Sequence, residues 1–131
     1  MRELVANWAS LPAEVQRAVE LALERRARDI AVLDLRGIST ATDYFVIASG
    51  TSDVQVKAIA EHMAEELKHQ GVGAGHVEGL TGGRWVLLDY IDFVVHVFHP
   101  QARAFYQLEN LWGDAPRWDQ PEEDEAAAGA R

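Results

Sequence analysis

The chain has 131 residues, no cysteine, a hydrophobic fraction of 48% and a formal net charge of -9, values that suit one soluble domain with one core. The missing cysteines exclude disulfide frameworks, thiolate zinc sites and thiol nucleophiles, and fit a reducing compartment. The negative charge repels phosphate backbones and favours a basic protein partner, so nucleic acid is not expected as the main contact.

Residues 1–10, with Leu4, Val5 and Trp8, predict either a short helix or a mobile arm. From Pro12 to about Ala27, apolar Val15, Ala18, Val19 and Ala22 recur at helical spacing, and Pro12 suits a first turn, where a missing amide costs nothing. Two short β-branched runs follow, at 29–36 and 44–49, and read as buried strands. Their hydroxyl-rich link ends in Asp43, which suits a turn cap.

The clearest helix runs from Ser52 to about Gln70, with Val56, Ile59, Ala60, Met63, Ala64 and Leu67 on one face. Ser52 and Gln55 have the form of a capping box, and Gly71 offers a left-handed C-terminal cap. A glycine-rich segment then contains a short edge strand at His76-Val-Glu78.

Along the next strand, Trp85, Leu87 and Asp89 share one face and Val86, Leu88 and Tyr90 the other. The run 93–98 is apolar on both sides and predicts a central strand covered by helices on both faces. Pro100 opens a last helix to about Trp112, whose apolar contribution is Ala102, Phe105, Leu108, Leu111 and Trp112. Helix, two strands, helix, three strands, helix is an α/β (α+β) order, and predicts a three-layer domain with a mixed five-stranded sheet flanked by helices.

The folded domain is therefore expected over 1–113. Residues 114–131, with six acids, two arginines and two prolines, predict a disordered acidic tail that buries too little to offset ordering entropy. No apolar run approaches the roughly 18 residues that a membrane span needs, and no secretory leader pattern opens the chain. A cytoplasmic location without membrane contact is expected.

Gly50-Thr-Ser-Asp53 lies between a strand and a helix, where amides and the helix dipole can hold an anion. A plain helix cap is the favoured reading, because phosphate-loop and dinucleotide glycine spacings are missing. Nucleotidyltransferases place two acids after such a turn to hold metal ions, whereas Asp53-Val-Gln55 supplies one. Asp89, Asp92 and His96 do not read as a metal or acid–base set, since Asp89 and His96 sit on different strands and no second histidine stands near on that face.

No cofactor, metal or catalytic residue is expected. Trp85, Asp89, Tyr90 and Asp92 cluster at one junction with Glu78 near in sequence. An aromatic centre with an acidic rim suits docking on a basic protein, while Trp85 suits the core equally well.

Asp43-Tyr-Phe-Val-Ile-Ala-Ser-Gly-Thr-Ser52, Glu78-Gly79, Trp85-Val-Leu-Leu-Asp-Tyr90, Asp92 through His96, Phe105-Tyr106 and Leu108-Glu-Asn-Leu-Trp112 together resemble the Iojap-related ribosomal silencing factor family over about 15–112. The resemblance implies a nucleotidyltransferase-like fold without the catalytic acids, and a homodimer when free. It also implies an anti-association factor that binds the large ribosomal subunit through ribosomal protein uL14, blocks joining of the small subunit and represses translation under nutrient limitation. On this reading Trp85, Leu87 and Tyr90 supply apolar contact, and Asp43, Glu78, Asp89 and Asp92 pair lysines or arginines of the partner. The alternatives are a large-subunit assembly factor and, less favoured, a metal-dependent nucleotidyltransferase-like enzyme. One departure is Ile91, where the family commonly has glycine. A β-branched residue disfavours positive φ, which implies another form of turn or a conformation that never needed glycine.

Overall fold

The computed structural model describes residues 5–122. Strands form where the alternating or short apolar runs predict them: β1 (Arg28–Asp34), β2 (Tyr44–Ser49), β3 (His76–Glu78), β4 (Trp85–Asp89) and β5 (Phe93–Phe98). A further strand, β6 (Arg117–Asp119), pairs antiparallel with β1. The sheet order is β3-β4-β5-β2-β1-β6, and β2 with β5 is its parallel pair. The β5 strand lies between β4 and β2 with all six residues buried, which is why it lacks polar alternation.

The sixth strand corrects both the strand count and the boundary placed after Gly113. It has no apolar periodicity of its own, but the open edge of β1 satisfies its backbone, and Trp118 packs on Trp8 with ring centroids 4.6 Å apart. Farther on, the Asp29 amide donates to the Glu122 carboxylate at 2.9 Å. Order there comes from non-local partners that a composition argument does not count, so the disorder expected from residue 114 does not describe 114–122. The acidic run 123–125 lies outside the described residues. Near the other end, Trp8–Ser10 form a single 3-10 turn capped by Asn7, and Val5 bridges to Arg117; residues 1–4, including Leu4, are outside the described set.

Two helices cover one face of the sheet. Helix α1 (Ala13–Glu24) buries Val15, Ala18, Val19, Leu21 and Ala22. It stops short of Ala27 because Arg26 turns left-handed at φ +62, letting the Ala27 amide reach back to the Ala22 carbonyl. Helix α2 (Asp53–His69) is capped at both ends as expected: Ser52 Oγ accepts from the Gln55 amide at 3.1 Å, and Gly71 adopts φ +86. Together they enclose a core with Val46, Ala48, Val86, Leu88, Val95 and Val97.

The other face is only partly covered. The single helix expected from Pro100 to Trp112 is broken at Gln107, which takes φ +48 and separates α3 (Pro100–Tyr106) from α4 (Leu108–Leu111). Arg103 spans the break, donating to both Glu109 oxygens at 2.7 and 3.3 Å and to Ser49 Oγ at 2.8 Å. The bend carries Leu108 into a second core with Leu33, Ile47, Phe98 and Ala102. Phe105 and Leu111 are turned outward instead, 80% and 72% exposed, so their expected burial is corrected.

Candidate docking face

Cross-strand register builds the uncovered region row by row, because directly paired residues share a face. One row runs Glu78, Leu87, His96, Ile47; the next runs His76, Asp89, Val94, Phe45, Leu33; a third joins Trp85, Phe98 and Ser49. Helices α3 and α4 cover the part around Leu33, Ile47 and Phe98. Trp85, Leu87, Asp89 and Phe45 remain half-buried, and Glu78 is exposed. Beside Trp85, Arg84, Gln101, Ala102, Phe105 and Tyr106 line a depression of about 390 Å³.

Trp85 is wedged rather than free. Its ring lies 4.9 Å from Phe98 and 4.8 Å from Tyr106, centroid to centroid, and its Nε1–H donates to His96 Nδ1 at 3.0 Å. It therefore belongs partly to the core and partly to the surface. The backbone beneath its strand demands a glycine: Gly79 has φ +85, and a Cβ there would overlap the Trp85 carbonyl oxygen.

The carboxylates gather at one end of the sheet. Asp89 closes β4 and its Oδ1 accepts from the Ile91 amide at 2.8 Å. The Asp43 amide donates to the Asp92 carbonyl at 3.1 Å, and Thr42 Oγ1 donates to the Ile91 carbonyl at 2.8 Å. These bonds clamp the β1–β2 link to the β4–β5 turn, bringing Asp43, Asp89 and Asp92 together. Asp43 and Asp92 are exposed, with no side-chain hydrogen bond among the described residues. Glu78 stands apart on the edge strand, beside Leu87 and paired with His76.

Two expectations about this junction are corrected. Tyr90 does not face a partner: it is 8% exposed, packs into the core under α1 and α2, and stacks on Phe93 at 4.7 Å. Burial pushes its phenol up to about 12. Ile91 does adopt positive φ, at +74, with the Asp92 amide closing a three-residue γ-turn on the Tyr90 carbonyl. It projects its side chain into solvent, 73% exposed.

At the α2 N-terminus the cap reading holds. Gln55 Oε1 accepts from both the Thr51 amide and its hydroxyl, so the amide end that an anion would use already has an internal acceptor. The candidate face also includes Phe45, with His96 buried beneath it. Reading single strands missed Phe45 as a surface residue, because its partner Val94 is known only once β2 and β5 are paired.

The family model described as "RsfS: Ribosomal silencing factor during starvation" matches residues 9–131. A ribosomal silencing factor RsfS of Bacillus subtilis is 49% identical over 96 residues, covering 73% of this chain and 81% of that one. The mouse protein named mitochondrial assembly of ribosomal large subunit protein 1 is 32% identical over 102 residues, 76% of this chain and 45% of its own length. Among solved structures, a protein of Bacillus halodurans superposes with a TM-score of 0.69 at 42% identity, over 75% of this chain and 91% of that chain. One of Chromobacterium violaceum gives 0.74 at 35% identity, over 83% and 88%.

Proposed function

We propose, from the premise that this chain belongs to the RsfS family of ribosomal silencing factors rather than to an enzyme family, that it binds the large ribosomal subunit through protein uL14 and blocks joining of the small subunit by occupying that surface. The observation that carries this reading is the uncovered sheet face: an aromatic and aliphatic centre of Trp85, Leu87 and Phe45, with Glu78, Asp43, Asp89 and Asp92 around it. An apolar centre displaces water, while an acidic rim steers a basic protein and rejects bare phosphate. Tyr90 serves the fold beneath this face, not the contact. Action is steric and cytoplasmic, and needs neither nucleotide nor metal.

Truncating a central aromatic should cost more than altering the rim. Trp85→Ala is expected to weaken large-subunit binding by about 2 kcal/mol or more, roughly thirtyfold, and a single reversal such as Asp92→Lys by about 1 kcal/mol or less. Cosedimentation of each folded variant with purified large subunits tests this, and equal binding by Trp85→Ala would remove the anchor. The free protein is a homodimer on this reading. If it uses the same face, rising dimer concentration and subunit binding compete.

The mouse relative's name favours a second reading, in which the same face binds large-subunit precursors and acts during assembly. Accumulation of precursor particles on depletion, with unchanged joining of mature subunits, would select it.

A further inference from the structure

His96 lies 3% exposed on the docking side of β5, among Phe45, Trp85 and Phe98. Its Nδ1 accepts from the Trp85 indole, so in the neutral ring the proton sits on Nε2. No protein group accepts from that Nε2 among the described residues, and the atom is buried. A buried donor left without an acceptor weakens a fold. Phenylalanine, a somewhat larger apolar ring, would remove that stranded donor but leave the Trp85 indole without its acceptor. Packing therefore does not account for an imidazole here. What it offers and a phenyl ring lacks is an acceptor for the indole.

We infer that His96 is a positioning residue of the docking face, holding the Trp85 indole in the orientation that receives the partner; this rests on the docking reading above. Trp85 has support on only some sides: Phe98 beneath, and on the outside Tyr106, itself half-exposed. Ring stacking alone does not fix the rotation of a partly exposed indole about χ2, and ordering it on binding lowers affinity. The bond to Nδ1 sets the ring plane before the partner arrives.

The test is a double-mutant cycle of His96→Phe and Trp85→Phe, read by cosedimentation with large subunits, beside the Trp85 indole ¹H–¹⁵N signal in the full chain. In the wild type that signal is expected as a single, hydrogen-bonded, downfield peak. His96→Phe should move it upfield and broaden it, leave the chain folded, and weaken subunit binding about tenfold. In the Trp85→Phe background the same change should have no effect on binding. His96→Asn, which places an acceptor near the position of Nδ1, should restore the indole signal and most of the affinity.

If Trp85→Phe weakens binding but His96→Phe does not, or if His96→Phe weakens it equally in both backgrounds, the docking face stands and the positioning role is refuted. An indole signal unmoved by His96→Phe refutes it as well. Wild-type binding by both single variants would overturn the docking reading and the positioning role together.

Discussion

Acid should unfold this protein partly through one buried imidazole. Burial holds His96 down to about 4, opposed in part by the negative charge of Asp89. In the unfolded chain it returns to its ordinary value near 6.5. The native value is the lower one, so as pH falls the unfolded chain takes the proton first. Its contribution is fully present above pH 6.5 and is lost as pH falls toward 4. The gap between those values corresponds to about 3 kcal/mol, of which about 2.5 kcal/mol is gone by roughly pH 4.5.

Urea unfolding of the wild type and of His96→Phe, from roughly pH 7.5 down to pH 4.5, isolates this contribution. Glu24 and Asp34 also lie below the carboxylate range, each chiefly through a side-chain hydrogen bond, from His62 and Arg36 respectively. They weaken both proteins together on acidification and drop out of the difference. The prediction is that His96→Phe gains on the wild type steadily as pH falls. A difference that stays constant across the range would refute the buried, neutral imidazole.

Two further substitutions probe the strained and paired positions. Ile91 holds φ +74 with its side chain in solvent; Ile91→Gly should relieve left-handed strain, and after the extra unfolded-state freedom of glycine should raise stability by about 0.5–1 kcal/mol. A lower urea midpoint would show that the isoleucine makes contacts that outweigh the strain. Burial raises the Glu109 carboxyl, yet its hydrogen bond and charge interaction with Arg103, aided by Arg117, leave it below the ordinary carboxylate value. Glu109→Ala strands the largely buried Arg103 guanidinium and should cost about 3 kcal/mol, read as a lower urea midpoint; an unchanged midpoint would show that Ser49 alone satisfies Arg103.

The parts of the fold legible in the sequence are those set by local rules. Helix α2 carries its period, its Ser52 cap and its Gly71 stop within its own residues, and the alternation along β4 already separated Trp85, Leu87 and Asp89 from Val86, Leu88 and Tyr90. Tyr90 follows that alternation into the core, despite its nearness to the acids along the chain. What was not legible depends on distant partners. Gln107 breaks a helix because Arg103 finds both Glu109 and Ser49, β6 exists because β1 has a free edge, and Ile91 bears positive φ because Thr42 and Asp89 hold its two backbone groups. The candidate face could be read only in part, since Phe45 and His96 join Trp85 through strand pairing rather than through chain order.

Occlusion of the large subunit is tested by mixing purified large and small ribosomal subunits with this protein and following joined and free particles by sedimentation, with Trp85→Ala alongside. The wild type is expected to travel with free large subunits while joined particles decline, and Trp85→Ala to do neither. Unchanged joining, with the protein sedimenting alone, would contradict occlusion.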